Sequence, residues 1–348
     1  MAKGIMYVDN IRVEFDDEPT IMDVCRKAGV EMPNFCFHSD LSVYGACRMC
    51  MVEDLDTGKI DAACTTKPKN GMRIRTNTSR LLKYRRMILE LMLASHCRDC
   101  TACEKNRSCR LQEMAVRFGI HHVHFKDTRE HVPMDFSSPA VTFDLNKCIL
   151  CGDCVRVCKE VQGMSILHFA GRGPGLHIEA GDDQPISTTH CVSCGQCAAV
   201  CTTGAITVKN DIGAAWRALH DPQKRVVIQI APAVRVAIGE AYGLPAGENV
   251  LDKLVTALKI MGADEIYDTI FGADLTVREE SKEFLRRLET GENLPLMTSC
   301  CPSWVRYVEQ ERPQLIKNLS SALSPMQMFA TVLKAVSYTH LTLPTIRL

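Results

Sequence analysis

The hydrophobic pattern of residues 1–79 is that of a small β-rich module. In "IMYVDNIRVEF" two short strand-like runs flank Asp9 and Asn10, a pair typical of tight hairpin turns. The following "PTIMDVCRKAGV" places apolar residues at helical spacing and reaches Gly29, where we expect the helix to stop. An amphipathic helix is predicted over residues 80–95. The pattern therefore predicts a hairpin and a short helix, followed by a longer helix that leads out of the module.

A different pattern begins near residue 222, where strand-like and helical segments alternate. The predicted strands are "RVVIQIAP", "ADEIYDT" and "LPLMTS". The predicted helices are residues 233–242, residues 249–261 and "LTVREESKEFLRRLE". Strands that alternate with helices predict an α/β domain with at least partly parallel strand pairing.

Charge and hydropathy exclude several classes of protein. Lys and Arg together number 41, as do Asp and Glu, so the formal net charge of the 348 residues is zero. This balance does not favour a nucleic-acid-binding face or a polybasic membrane anchor. No apolar run approaches the roughly 20 residues that span a bilayer, and "MAKGIMYVDN" does not resemble a signal peptide. We therefore expect a cytoplasmic protein with no nucleic-acid partner and no membrane span.

The chain contains 19 cysteines, most of them in tight C-x2-C groups. Such spacing in a long chain without a secretion signal favours metal ligation over disulfides. The first group combines one C-x2-C pair with two more distant cysteines, and predicts a 2Fe–2S cluster held by Cys36, Cys47, Cys50 and Cys64. Its ten-residue first gap departs from the C-x4-C-x2-C spacing of plant-type ferredoxins. Tetrahedral zinc is the alternative, although zinc ribbons usually pair two C-x2-C knuckles.

The second group, "HCRDCTACEKNRSC" at residues 96–109, offers five potential ligands for four positions. One site would be formed by Cys97, Cys100, Cys103 and Cys109. The other would replace Cys97 with His96, whose neutral imidazole should raise the reduction potential of a 4Fe–4S cluster. The residue types alone leave these alternatives open.

Two further groups, "CILCGDCVRVC" and "CVSCGQCAAVC", repeat the C-x2-C-x2-C-x3-C spacing of two-cluster bacterial ferredoxins. Only the proline that usually follows the last cysteine is missing. In that arrangement the fourth cysteine of each run ligates the other cluster. One 4Fe–4S cluster is therefore assigned to Cys148, Cys151, Cys154 and Cys201. The other is assigned to Cys191, Cys194, Cys197 and Cys158. Outside these groups, Cys25 is expected on the buried face of its helix.

The order of these groups resembles two families, the large iron–sulfur subunit of complex I and the multi-cluster iron-only (FeFe) hydrogenases. In both, a histidine ligates the second group, so the resemblance favours His96 over Cys97. The later stretches "IAPAVR", "FGADLTVREE", "TSCCPSW" and "NLSSALSPMQ" resemble the start of the hydrogenase catalytic domain, and complex I lacks "TSCCP". The resemblance to the hydrogenases extends over residues 1–334.

The hydrogenase resemblance implies roles for residues after position 230. Cys301 matches the first of four thiolates that hold the six-iron H-cluster, a cubane bridged to a di-iron unit. Cys300 matches a proton-shuttling thiol. A proton path is implied through Glu280, Glu283, Arg287 and Ser320, and a di-iron pocket lined by Ala231, Pro232 and Ser324. From the residues alone, the spacing of Glu280, Glu283 and Arg287 favours a solvated helix face instead.

The predicted architecture is a multidomain α+β chain that binds one 2Fe–2S and three 4Fe–4S clusters, and an H-cluster only in a full-length parent. The domains are expected as a β-grasp 2Fe–2S ferredoxin over 1–79, a His/Cys 4Fe–4S domain over 80–130, a double 4Fe–4S ferredoxin over 138–210, an incomplete α/β catalytic domain over 220–335, and a non-native tail over 336–348.

The expected reaction is reversible proton reduction to hydrogen, with ferredoxin or a flavin-containing NAD(P)H-oxidising subunit as electron donor. No cysteine follows Cys301, whereas the family needs three more for its H-cluster. We therefore expect the 348-residue chain to be a catalytically incomplete fragment. The alternative is an electron-transfer iron–sulfur subunit without hydrogen chemistry of its own.

Overall fold

A computed structural model describes residues 4–127, 131–182 and 184–336. The chain divides into two compact units, Met1–Lys209 and Asn210–Leu348. The predicted tail at 336–348 lies outside the described residues from position 337 onward. Within the described ranges, no helix has the length and apolar character needed to cross a membrane.

The N-terminal part of the first unit is a five-stranded mixed sheet with two helices. Its elements are β1 Gly4–Val8, β2 Ile11–Phe15, α1 Ile21–Lys27, β3 Met51–Asp54, β4 Ile60–Ala62, β5 Arg73–Arg75 and α2 Ser79–Ala94. The strand order is β2-β1-β5-β3-β4, with β1 parallel to β5 and the other neighbours antiparallel. The predicted hairpin is confirmed: Asp9 and Asn10 have φ values of 50° and 71°, the left-handed conformation of a type I′ turn.

Helix α1 supplies one side of the core of this sheet. Thr20 caps its N-terminus by accepting a hydrogen bond from the Asp23 backbone N–H, and the chain leaves the helix at Gly29 with φ of 74°. Cys25 is completely buried in this core, as expected for a small apolar thiol. Burial raises its pKa to about 12, so Cys25 stays protonated and acts as a packing residue.

The rest of the first unit contains short helices and two antiparallel strand pairs. Its elements are α3 Arg110–Arg117, β6 Val141–Phe143, α4 Asp153–Arg156, β7 Leu167–Ala170, β8 His177–Ala180, α5 Gln196–Val200 and β9 Ile206–Val208. Strand β6 pairs with β9 and β7 with β8. Helices α4 and α5 each follow a C-x2-C loop and begin at a left-handed glycine, Gly152 and Gly195. The two cysteine repeats therefore share one local fold.

The second unit is α/β, with one parallel strand pair in its described part. Its elements are α6 Ile212–Leu219, β10 Val227–Ile230, α7 Pro232–Ala237, α8 Leu251–Ile260, β11 Glu265–Asp268, α9 Ile270–Thr290, α10 Pro302–Glu311 and α11 Pro325–Val336. The parallel pairing of β10 with β11 confirms the parallel strand pairing that the sequence predicted for this domain. Helices α9 and α11 approach closely at Gly272, where an added Cβ would lie 2.2 Å from the Pro325 carbonyl oxygen.

The predicted strand "LPLMTS" is wrong. Its one strand-like contact is an isolated bridge between Met297 and Leu319. Pro295 has no backbone donor, and the backbone hydrogen bonds to residues 318–320 are those of Met297. Its N–H donates to the Asn318 carbonyl (2.8 Å), and its carbonyl accepts from the Ser320 N–H (2.7 Å). The segment is therefore a loop that lies along residues 318–320.

Candidate metal centres

The thiols of the first cysteine group lie together inside the first unit. All four are buried, namely Cys36, Cys47, Cys50 and Cys64. Backbone N–H groups already point at two of the sulfurs: Phe35 donates to Cys47 Sγ and Cys47 donates to Cys36 Sγ, each at 3.4 Å. The pKa of Cys64 is raised by its contact with Cys50, by burial and by the nearby Cys36 and Cys47. The four cysteines therefore form one buried site, in which backbone N–H groups point at two of the sulfurs.

Arg85 stabilises the loop that carries Cys47 and Cys50. It lies on the buried face of α2, one turn from Leu81 and from Leu89, and only 3% of it is exposed. Its guanidinium donates to the carbonyls of Met49 (3.0 Å), Met51 (2.7 Å) and Thr76 (2.8 Å). Burial lowers its pKa to about 10, so Arg85 remains charged at neutral pH. The sequence analysis missed this residue, although an arginine at a core-facing helical position was a visible signal.

The second group follows the end of α2. His96 is buried, Cys100 is exposed, and Cys97 is half-buried with its N–H bonded to the Asn146 carbonyl (3.2 Å). Burial raises the pKa of Cys100, and the nearby thiols of Cys109, Cys103 and Cys97 raise it further. The thiols of Cys97, Cys103 and Cys109 therefore lie near that of Cys100, and His96 is buried immediately before Cys97 in the sequence. Both ligand sets stay open.

Substitutions can decide between His96 and Cys97. We expect Cys97→Ala to retain the 4Fe–4S cluster and His96→Ala to lose it. His96→Cys should retain a cluster with a lower reduction potential, because thiolate adds negative charge. Anaerobic redox titration followed by electron paramagnetic resonance measures both effects. Loss of the cluster in Cys97→Ala with retention in His96→Ala would assign the site to four thiolates.

The third and fourth groups have matching backbone conformations. Leu150 and Ser193 occupy the same place in the two repeats, and both have φ of 58°. Their N–H groups donate to Cys148 Sγ and Cys191 Sγ, each at 3.4 Å. A left-handed conformation is uncommon for a leucine or serine, so its recurrence indicates a loop shaped to turn amides toward sulfur.

The last cysteine of each repeat is placed in the same way. Ile166 N–H donates to Cys158 Sγ (3.3 Å) and Ile206 N–H to Cys201 Sγ (3.4 Å). The pKa shifts of Cys154 and Cys197 show which other thiols lie near them. The pKa of Cys154 is raised by burial and by thiols that include those of Cys148, Cys151 and Cys201. That of Cys197 is raised to about 12 by burial and by thiols that include those of Cys191, Cys194 and Cys158. Cys201 of the second repeat therefore lies near Cys154 of the first, and Cys158 of the first lies near Cys197 of the second.

An arginine links the first cysteine group to the third. Arg156 is buried in α4 and forms an ion pair with Asp153. It donates to the Cys36 carbonyl (2.8 Å) and to the Ser42 carbonyl, and its guanidinium lies 5.7 Å from the centre of the Tyr44 ring. Burial raises the pKa of Asp153 to about 6, against the opposing effect of Arg156. Sequence reasoning missed this connection because its partners are more than 100 residues away.

In the second unit, the residues of the hydrogenase-like motifs lie at the ends of elements. Cys300 and Cys301 are exposed, and Cys301 immediately precedes α10. Ala231 precedes α7, and Pro232 is its first residue. Ser324 precedes α11, where its hydroxyl accepts a hydrogen bond from the Gln327 N–H (3.3 Å). The loop before Cys300 runs beside residues 320–322, because the Ser299 hydroxyl donates to the Ala322 carbonyl (2.8 Å).

Helix α9 carries a buried ion pair where a solvated face was the alternative. Glu283 and Arg287 are each 8% exposed, and their side chains pair at 2.5 Å. Glu280 is half-buried and Ser320 is buried, its hydroxyl 3.4 Å from Glu283 Oε2. The solvated-face interpretation is therefore wrong for Glu283 and Arg287, because residues 318–321 cover this side of the helix.

Glu283 is held in its charged form. Burial acts to raise its pKa, but the Ser321 N–H and hydroxyl, each donating at 3.0 Å, and Arg287 together hold that pKa below its usual value. Ser321, which sequence reasoning missed, thus supplies two of the hydrogen bonds that keep this carboxylate ionised.

The donor sets fit iron–sulfur clusters. Thiolate sulfur is the ligand that such clusters require, and hydrogen bonds to the sulfurs tune their reduction potential. Backbone N–H donors to sulfur are present in the first, third and fourth groups.

Comparison with known protein families matches four consecutive segments. Residues 5–79 match a 2Fe–2S iron–sulfur cluster binding domain, and residues 85–124 match the NADH-ubiquinone oxidoreductase-G iron–sulfur binding region. Residues 140–202 match a 4Fe–4S dicluster domain, and residues 224–344 match the C-terminal domain of the iron-only hydrogenase large subunit.

Individual proteins show the same relationship. The chain is 36% identical over 346 residues to the NADP-reducing hydrogenase subunit HndD of Solidesulfovibrio fructosivorans. This alignment covers 96% of the present chain and 59% of HndD. The chain is 33% identical over 333 residues to iron hydrogenase 1 of Clostridium pasteurianum. The alignment covers 94% of the present chain and 58% of that hydrogenase. The chain thus spans about three fifths of the length of these relatives.

One chain in a solved structure of an NAD⁺-reducing [NiFe]-hydrogenase is similar to the present chain, with a TM-score of 0.56 and 30% identity. The superposition covers 60% of the present chain and 88% of the hydrogenase chain. The present chain carries, in order, a 2Fe–2S domain, an iron–sulfur region of the NADH-ubiquinone oxidoreductase type, a 4Fe–4S dicluster domain and the C-terminal domain of the iron-only hydrogenase large subunit, and it is therefore a homologue of the multi-cluster iron-only hydrogenases.

Proposed function

We propose that this iron–sulfur oxidoreductase passes electrons through one 2Fe–2S and three 4Fe–4S clusters to a centre that interconverts protons and hydrogen. The observation that carries the proposal is the matched geometry of the two cysteine repeats. Each repeat has a left-handed residue two positions after its first cysteine, and that residue's N–H points at the cysteine's sulfur. Such a pair of loops supports two clusters side by side.

The proposed ligands are the sixteen residues of the four groups. They are Cys36, Cys47, Cys50, Cys64, His96, Cys100, Cys103, Cys109, Cys148, Cys151, Cys154, Cys158, Cys191, Cys194, Cys197 and Cys201. The clusters supply one-electron transfer. The protein's own part is to bury the thiols of the first group and to neutralise thiolate charge with amide dipoles and with the cations Arg85 and Arg156.

The second unit is proposed to hold the catalytic metal centre and its proton path. Cys301 would ligate the centre and Cys300 would carry a proton, which its exposed position at the start of α10 supports. Ala231, Pro232 and Ser324 would line the pocket. The path would continue through Glu280, Glu283, Arg287 and Ser320, supported by the contact between the Ser320 hydroxyl and Glu283.

The proposed electron donor is a flavin-containing NAD(P)H-oxidising subunit or a reduced ferredoxin. Support comes from the names of two relatives, one NADP-reducing and one NAD⁺-reducing. The second candidate function is electron transfer to a partner without hydrogen chemistry. It is favoured by the [NiFe]-hydrogenase similarity, which covers 60% of the chain and belongs to an enzyme with a different catalytic metal centre.

Metal analysis tests the cluster content. One two-iron and three four-iron clusters require about 14 iron atoms per chain, and we expect that value together with equal acid-labile sulfide after anaerobic assembly. Iron near 10 per chain would remove one 4Fe–4S cluster from the proposal.

Hydrogen measurement separates the two candidate functions. The chain is assembled with the maturation proteins that insert the H-cluster, and reduced methyl viologen is the electron source. The 348 residues supply one of the four cysteines expected for the H-cluster, so we expect no hydrogen release from them alone. Hydrogen release that Cys301→Ala abolishes would overturn that expectation and support the first function. Reoxidation of all clusters by a dye acceptor without hydrogen release supports the second. Cys25→Ala serves as the control, because that buried thiol belongs to none of the proposed ligand sets.

A further inference from the structure

The hairpin formed by β7 and β8 carries two histidines and a carboxylate on one face. His168 and Glu179 are directly opposed in the strand register, and His177 lies two residues before Glu179 on the same strand. Side chains at such positions share a face of a sheet and lie within reach of one another. Both imidazoles contact this one carboxylate: His168 Nε2 lies 3.0 Å from Glu179 Oε1, and His177 Nε2 lies 3.2 Å from Glu179 Oε2.

A fourth donor lies just beyond the end of β8. Single ligand atoms of His168, Glu179 and Asp182 all lie within 4.8 Å of one another. In a tetrahedral zinc site with bonds of about 2.0–2.1 Å, neighbouring ligand atoms are separated by about 3.3 Å. The spacings of the two histidines from Glu179, 3.0 and 3.2 Å, are close to this value. Asp182 lies within 4.8 Å of His168 and Glu179, so a bound metal ion would require Asp182 and His177 to move toward the other two ligands.

The hydrogen bonding of His177 adds a reason for a cation here. Its Nδ1 lies 2.9 Å from the Gly175 carbonyl, which can only accept a hydrogen bond. In the neutral ring, Nδ1 therefore carries the proton, and the lone pair of Nε2 faces the Glu179 carboxylate. Two acceptors at 3.2 Å repel unless a proton or a metal ion lies between them. Metal-binding histidines characteristically donate their other N–H to a carbonyl in this way.

The site is accessible to solvent and contains no cysteine. The side chains of His168 and His177 are 42% and 43% exposed, while that of Glu179 is 15% exposed. Two imidazoles with carboxylates suit Zn²⁺ and neighbouring divalent transition metals better than Ca²⁺ or Mg²⁺.

We propose that His168, His177, Glu179 and Asp182 form a binding site for a divalent transition metal such as Zn²⁺. The hairpin lies between Cys158 and Cys191, the last and first cysteines of the two repeats. Because metal binding stabilises the state that presents the ligands, an ion there would hold this connecting segment in its folded form. The proposal concerns these four side chains alone and does not depend on hydrogen chemistry.

The test uses the whole chain with its iron–sulfur clusters assembled, so that the proposed cluster ligands are already occupied. Zinc is added in excess, loosely bound metal is removed by a weak chelator, and zinc is counted by mass spectrometry. We expect about one zinc per chain, with X-ray absorption showing nitrogen and oxygen ligands at about 2.0–2.1 Å. His168→Ala and Glu179→Gln should each weaken zinc retention at least tenfold.

His122→Ala provides the matched control, because it removes an exposed histidine outside the hairpin. Cluster absorption and iron content show whether each variant has folded, and Glu179→Gln preserves the shape of the side chain. Three results would overturn the proposal: no retained zinc, zinc retention in both hairpin variants equal to that of the natural chain, or sulfur ligands at about 2.3 Å, which would place the zinc at cysteines. The first of these would leave the histidines as a surface hydrogen-bond chain only.

Discussion

Cys154→Ala is expected to remove one complete 4Fe–4S cluster, about four of the iron atoms bound per chain. Cys154 is the buried thiol of its group, and those of Cys148, Cys151 and Cys201 lie near it. Alanine offers no donor and leaves the cluster with three protein ligands. Iron and sulfide analysis measures the loss, and electron paramagnetic resonance identifies which cluster has gone.

The crossed assignment makes this prediction more specific. Cys201→Ala should remove the same spectral component as Cys154→Ala, although the two residues belong to different repeats. Cys158→Ala should remove the other component, which Cys197→Ala also removes. If Cys201→Ala instead eliminated the signal lost in Cys197→Ala, each repeat would hold its own cluster. Cys25→Ala is the control and should leave iron content unchanged, since Cys25 only packs in the core.

Arg287→Met is expected to destabilise the second unit by about 3–5 kcal/mol, the usual cost of leaving one partner of a buried ion pair alone. Arg287 donates to the carbonyls of Asn293 (3.0 Å), Asn318 (3.2 Å) and Leu319 (2.8 Å) as well as to Glu283. Methionine fills much of the same space but satisfies none of these acceptors. The variant therefore leaves a buried carboxylate and a loop without their shared donor.

Tryptophan fluorescence during denaturant unfolding measures this effect on the full chain. Both tryptophans, Trp216 and Trp304, lie in the second unit, whereas visible absorption reports the cluster groups of the first. Arg287→Met should shift the fluorescence transition and leave the absorption transition in place. Lys282→Met is the control: Lys282 pairs with Glu279 at the surface of the same helix, where ion pairs contribute little. Equal shifts in both variants would contradict a special role for the buried pair.

The same pair predicts a dependence of stability on pH. The folded protein lowers the pKa of Glu283 from its ordinary value of 4.5. The ionised carboxylate therefore contributes fully to the free energy of unfolding above pH 4.5, and this contribution is lost as the pH falls through the lower pKa of the folded state. The difference in stability between the natural chain and Glu283→Gln should therefore shrink below pH 4.5.

Local sequence signals predicted the hairpin at Asp9–Asn10, the buried thiol of Cys25 and the parallel pairing of β10 with β11, because each depends on neighbouring residues or on short-range periodicity. The cysteine spacings predicted the four groups for the same reason. Long-range contacts were not accessible in this way. The buried environment of Glu283 depends on residues 318–321. The segment "LPLMTS" forms only one bridge to those residues, which is too little pairing for a strand.

The choice between His96 and Cys97 shows a further limit. The two donors are adjacent in the sequence, so the spacing of the cysteines fits either of them. The hairpin histidines went unnoticed because eight residues lie between His168 and His177, and only the strand register places both beside Glu179.

The guanidinium of Arg156 constrains how this chain can have been assembled from separate modules during evolution. Arg156 lies between two cysteines of one ferredoxin repeat, yet its acceptors include the backbone of Cys36 in the preceding domain. The acceptors in that domain are the backbone carbonyls of Cys36 and Ser42, so these two hydrogen bonds depend on the path of the loop. A replacement ferredoxin domain would have to present the same loop path to receive this arginine. The 2Fe–2S domain and the dicluster domain are therefore expected to be inherited and exchanged as one piece.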